Sequence, residues 1–131
     1  YVFGMSAGGG LIPWYVGKTE RQDFKRECFQ HQKITHYTAI REKYRRGTPF
    51  LFFVPRMTAT GRYSKPGKNG YPDIKFLENF IMFQALISNP GLSNSKGLAV
   101  AREIQVEGIL RPKPGAKRQA ALDFRNMLKL D

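Results

Sequence analysis

Cysteine is all but missing from this chain of 131 residues, where Cys28 stands alone. A single thiol excludes an intramolecular disulfide framework and fits a reducing, cytoplasmic setting. It also excludes a cysteine-rich zinc site, and only two histidines, His31 and His36, remain as soft ligands. Long apolar runs are absent as well. No window holds eighteen apolar residues, so no membrane span is predicted, and the opening YVFGMSAGGG lacks the basic region of a secretory signal. Nor is there a basic amphipathic helix with a wide apolar face to lie on a membrane surface. Acid is scarce: 10 Asp and Glu stand against 22 Lys and Arg, a net charge of +12. A balance so basic points to a polyanionic partner, nucleic acid before all others.

What is present reads as one small domain with a basic tail. Hydrophobic residues make up 41% of the chain, enough for a single modest core. Residues 1–3 and 13–16 are predicted as short strands joined by the flexible, glycine-rich segment 5–10. Residues 20–32 form a predicted helix with Thr19 as N-cap, and residues 35–45 a second. Residues 49–54 are apolar on both faces, which predicts a buried central strand. A Gly/Pro-punctuated basic loop covers residues 61–71, and a long helix spans residues 73–88, stopped by Asn89-Pro90-Gly91. Beyond residue 94, a turn or two of helix is expected over 98–103, a linker over 111–115 and a terminal helix over 116–130. The fold class expected is α+β. A small, largely antiparallel three-stranded sheet is flanked by helices in the order β-β-α-α-β-α, with a helical extension over residues 95–131 packed on the same domain.

Gly17-Lys18-Thr19 ends like a phosphate-binding loop, but that loop requires a glycine at position 12, which is Ile12. No nucleotide cofactor is implied. Three other features carry chemistry. Tyr1 and Tyr15 sit one on each strand of the opening hairpin, with Lys18 at the exit of the second. A phenol is a poor base unless a nearby cation stabilises its phenolate, and Lys18 is placed to do so; ordinary sheet aromatics are the alternative. Glu78 lies within an apolar stripe, with Ile74, Met82 and Ala85 all within about 40° of it around the helix. A buried carboxylate must be paired, protonated or metal-bound, so either a salt bridge or an oxygen-seeking cation such as Mg²⁺ is expected there. Finally, residues 41–68 carry eight cations against the one acid Glu42, with Tyr44 and Tyr63 interleaved and Tyr71 just beyond. That mixture suits phosphate contacts and stacking, and a merely solvated face is the alternative.

In this order, the pieces resemble the GIY-YIG nuclease domain over residues 1–94. Tyr15-Val16-Gly17 matches the second motif. Tyr1-Val2-Phe3 matches the tyrosine of the first motif and the residues just after it, the preceding Gly-Ile/Val lying before residue 1. Glu78 matches the family's glutamate on a long helix, and Asn94 its asparagine after a turn. The resemblance implies an endonuclease cleaving DNA phosphodiester bonds with Mg²⁺ or Mn²⁺ on Glu78. Tyr1 would be base or nucleophile, aided by Tyr15 and Lys18; His31 would attend the leaving group, and Asn94 would orient the site. The family's arginine is the departure. Aligning Phe24, Cys28 and His31 puts Glu27 in its place, about 40° from His31 on one helical face, while Arg26 lies about 140° away. Either Arg26 serves through a one-residue shift, or Lys18, Arg21 or Lys33 substitutes, or cleavage is lost and a nucleic-acid-binding module remains. Arg21, Lys33, Arg45, Arg46, Arg56, Arg62, Lys65 and Lys68 are the expected DNA contacts. A separate DNA-recognition module or a second copy is compatible with the family's habit. A basic structural protein, as in a ribosome, is a third reading that only the charge supports.

Overall fold

The computed structural model describes residues 1–94 and 119–128. The chain divides into two compact units, Tyr1–Ser95 and Lys96–Asp131. In the second, helix α4 (Gln119–Leu128) is described; the expectations for residues 98–103 and 111–115 lie outside the described residues.

The first unit runs β1 (Val2–Ala7), β2 (Gly10–Val16), α1 (Phe24–Cys28), α2 (His31–Lys43), β3 (Thr48–Phe52), α3 (Pro72–Ser88). The sheet is antiparallel with spatial order β2-β1-β3, so the α+β expectation is met. The two opening strands are longer than predicted: the ladder continues through Met5, Ser6 and Ala7 opposite Ile12, Leu11 and Gly10 to a tight turn at Gly8 and Gly9. Phe3 pairs with Tyr15 but Gly4 pairs with Pro13, so Trp14 is an extra, bulged residue. Pro13 is tolerated because β2 is an edge strand.

The third strand departs from expectation. Thr48–Phe52 is an edge strand and not a central one, and Phe50 and Phe52 stay exposed. Its apolar run mimics a buried strand, but β1 takes the centre because it pairs on both sides.

The first helix is also shorter than predicted. Asp23, not Thr19, caps it by accepting from the Arg26 N–H at 2.8 Å. The helix stops at Cys28, and α2 starts anew at His31. The face shared by Glu27 and His31 is therefore lost, since the 100° periodicity does not continue across the break.

One core lies between the sheet and these helices: Tyr1, Phe3, Met5 and Tyr15 pack against Cys28, Tyr37 and Ile40. Phe3 and Tyr37 stack with ring centroids 4.4 Å apart. Burial of an apolar side chain such as Met5 or Phe3 stabilises the fold by about 1.5–3 kcal/mol. The third helix packs along β2 and buries Met82, Ala85 and Leu86, while Phe76 and Phe80 on its far side are exposed. Pro72 starts this helix and Asn89 ends it.

The turn after α3 covers the outer edge of β2. Asn89 Nδ2 donates to the Pro13 carbonyl at 2.7 Å. The Ser93 N–H and hydroxyl both donate to the Trp14 carbonyl at 3.0 Å. Asn94 accepts the Val16 N–H on Oδ1 at 3.0 Å and donates to the Val16 carbonyl through Nδ2.

Candidate functional site

Where β2 ends, the chain opens a cleft of about 490 Å³. Tyr1, Gly17 and Lys18 contribute from the hairpin, Leu77, Glu78 and Ile81 from α3. Phe24 from α1 and the segment after β3 complete its walls.

Gly17 owes its identity to Tyr1. The two residues extend the ladder with reciprocal backbone hydrogen bonds of 2.8 and 2.9 Å. A Cβ at position 17 would fall 2.6 Å from the Tyr1 hydroxyl oxygen. The phenol thus lies over the bare backbone, and its edge reaches the cleft.

The hydroxyl of Tyr1 is buried and makes no hydrogen bond, and that of Tyr37 is in the same condition. Burial foremost, then the neighbouring Tyr37, Tyr15, Cys28 and Glu27, holds the Tyr1 phenol far above its ordinary value of 10.0. This reverses the expectation of a lowered pKa, because the cation assigned to that task is engaged elsewhere. Lys18 pairs with Glu20 at 2.6 Å.

The phenol that does meet a cation is Tyr15. Its hydroxyl accepts from Lys33 Nζ at 2.5 Å, and Lys33 also lies 3.6 Å from Glu27. Burial pulls the Lys33 pKa down, but the Tyr15 hydroxyl and the Glu27 carboxylate together leave it raised. Gln22 completes the group by donating to Glu27. Tyr15 stacks on Tyr1 with centroids 6.2 Å apart, yet it does not line the cleft.

Glu78 is half-buried over Met82 and Ala85. Its pKa is raised by burial, with Lys18 the largest opposing influence. Among the described residues its carboxylate has no ion pair within 4.0 Å, so the expected salt bridge does not form there. The described residues hold no cluster of three or more His, Cys, Asp or Glu side chains. A lone, under-compensated carboxylate facing a cleft nevertheless fits Mg²⁺, which takes one or two protein carboxylates and completes its shell with water and substrate phosphate.

The remaining predicted residues scatter. Arg26 is exposed and 3.9 Å from Asp23, outside the cleft. His31 is exposed at the start of α2. Asn94 spends its amide on the Val16 backbone. Of the expected DNA contacts, Arg56 and Lys65 line the cleft. Arg21, Arg45, Arg46, Arg62 and Lys68 are exposed outside its lining, and Lys33 is drawn into the Tyr15 group.

Sequence reasoning missed Glu20. Besides holding Lys18, it accepts the Tyr71 N–H at 2.8 Å, and its backbone carbonyl accepts the Gly67 N–H at 2.8 Å. These bonds, the Lys18 bond first, hold its pKa below the ordinary carboxylate value. Gly70 lets the loop approach: its φ is +70° and a Cβ would sit 2.9 Å from Glu20 Oε1. The signal available was an acid directly after Gly17-Lys18-Thr19 in a chain with few acids.

No helix among the described residues is long and apolar enough to cross a membrane. No protein-family model, curated protein or solved structure matches this chain.

Proposed function

We infer that the protein is a Mg²⁺-dependent DNA endonuclease of the GIY-YIG type. The observation that carries this reading is the meeting of Tyr1, Lys18 and Glu78 on one cleft of a strongly basic chain. Mg²⁺ held by Glu78 would neutralise phosphate charge and acidify the attacking water. Lys18 reaches a non-bridging oxygen by exchanging its carboxylate partner Glu20 for the phosphate. Tyr1 lines the cleft with its ring, its hydroxyl buried against Gly17, and so sets the position of the strand end that carries Lys18. Tyr15 and Lys33 support the Tyr1 ring from behind. Asn94 fixes the end of β2, so Gly17 and Lys18 keep their place.

The test is nicking of supercoiled plasmid with Mg²⁺, with and without EDTA. Glu78→Ala should lower the rate by at least about a hundredfold, the scale expected for losing an electrostatic group at a transition state. Full activity in Glu78→Ala would end the assignment.

One observation favours a second reading, a nucleic-acid-binding module of the same fold without cleavage. Glu27, where the family's arginine is expected, is locked to Lys33 and Gln22 and brings no positive charge to the cleft. Salt-sensitive DNA binding with no nicking in Mg²⁺ would establish it.

A further inference from the structure

The cleft is larger and more apolar than a metal and a phosphate require. Its volume of about 490 Å³ lies within the roughly 300–1,000 Å³ typical of sites for organic ligands. Phe24 and Phe53 meet on its wall with ring centroids 4.8 Å apart, and Phe53 and Val54 remain 46% and 47% exposed. Phosphate and a hydrated cation have no use for such a wall, whereas a flat aromatic guest does.

The rim is built in the same sense. Residues 56–64 form a small hairpin closed by a Met57–Tyr63 bridge, with Ser64 N–H donating to the Arg56 carbonyl and Thr58 N–H to the Arg62 carbonyl. Arg56 anchors its base: it stacks on Tyr71 at 4.4 Å and bonds both Asp73 and Ser64. Tyr63 is thus held on ordered, hydrogen-bonded backbone while 73% exposed at the cleft. An aromatic ring displayed to water on a braced support is opposed by the hydrophobic effect and marks a contact surface.

The charges select the guest. Among the acids lining the cleft, Glu20 is taken by Lys18, Asp73 by Arg56, and Asp23 caps α1, which leaves Glu78, the proposed metal ligand, as the carboxylate without an ion pair among the described residues. Among the described residues, Arg62, Lys65 and Lys68 of this same loop form no ion pair. An anion with a flat aromatic body is called for. A nucleotide supplies both, but within a duplex the faces of its base are covered by neighbouring bases, so a side chain can stack only on a base that is unpaired or extruded.

We propose that the cleft takes an unpaired nucleotide of a DNA strand, its base against Tyr63 and the Phe24–Phe53 wall and its phosphate toward Lys18 and Lys65. Intact duplex is then a poor ligand. This rests on reading the cleft as a nucleic-acid site and adds the substrate's secondary structure to it.

The experiment is fluorescence anisotropy at fixed salt in EDTA, which reads binding apart from cleavage. The probes are a labelled single strand of about 16 nucleotides, the same strand in full duplex, and that duplex with a central unpaired bulge. The single strand and the bulge should bind about tenfold tighter than the duplex, the scale of one stacked base. Tyr63→Ala should weaken the single strand and the bulge far more than the duplex and so remove that preference, while Tyr63→Trp keeps it. Equal affinity for all three probes, or equal weakening of all three by Tyr63→Ala, overturns the proposal. Plasmid nicking in Mg²⁺ is read separately. Nicking without preference for unpaired DNA sinks this inference and keeps the nuclease; preference without nicking keeps the inference and sinks the hydrolysis.

Discussion

The Tyr1 phenol rests on Gly17 so closely that its hydroxyl oxygen would stand 2.6 Å from any Cβ at that position. The tyrosine and the glycine are one packing unit contributed by neighbouring strands. Gly17→Ala should therefore cost about 1–3 kcal/mol through overpacking of a buried ring, measured as a lower urea midpoint. It should also push the phenol off its seat, so a matching change in Tyr1 fluorescence is expected. An unaltered midpoint would mean that the ring can turn aside freely.

Lys33 ties the Tyr15 hydroxyl to Glu27. Lys33→Met should destabilise the fold by about 1–3 kcal/mol, because it takes the donor from the Tyr15 hydroxyl and leaves the mostly buried Glu27 carboxylate with Gln22 alone. The pH dependence has a definite sign. The Lys33 pKa is raised in the folded state, so its stabilisation is complete below the ordinary lysine value of 10.5 and is lost as pH rises through the folded value. Wild type and variant should differ at neutral pH and converge in strong alkali, as chemical denaturation at several pH values would reveal.

Asn94→Asp tests whether the side-chain amide is a backbone clamp. The carboxylate keeps an acceptor for the Val16 N–H but has no donor for the Val16 carbonyl. A loss of about 1–3 kcal/mol is expected at neutral pH, with faster amide exchange along β2. Unchanged exchange at Val16 would contradict the clamp.

Glu78 works against stability. Burial raises its pKa, so the folded protein holds that proton more tightly than the unfolded chain does. Stability from this group is complete below the ordinary glutamate value of 4.5 and falls as pH rises from there to the raised folded value. Glu78→Gln should accordingly raise the urea midpoint at pH 7 and change it little at pH 4. A gain at pH 7 accompanied by lost nicking would mark a carboxylate kept for chemistry. A lower midpoint at pH 7 would show that its charge is stabilised by groups around the cleft.

Local chemistry made part of this legible in the sequence. The hairpin showed in its β-branched and aromatic run, α3 in its Asn89-Pro90-Gly91 stop, and Glu78 in its angular distance from Met82 and Ala85. The misses arise where several residues, near or far in sequence, compete for one partner. Lys18 was read with the tyrosines, but Glu20, two residues on, captures it. The cation that reaches a phenol comes instead from α2, which the break after Cys28 swings into place. Gly17 entered the sequence reading only as part of two tripeptide patterns, whereas its real constraint is a ring from the first residue. The aromatic run of β3 cannot by itself say whether a strand is central or at an edge, because that depends on which neighbours pair with it.

The two flanks of the sheet are guarded unequally. On β2, the side chains of Asn89, Ser93 and Asn94 occupy main-chain groups that another strand would need. Along β3, among the described residues, no strand pairs with the side facing away from β1, and Phe50 and Phe52 stack in the open beside it. Pro49, with no N–H to offer, interrupts that flank at a single point. In concentrated solution, molecules should therefore adhere through residues 48–52, and one lysine in place of Phe50 should delay precipitation more than any charge added to β2.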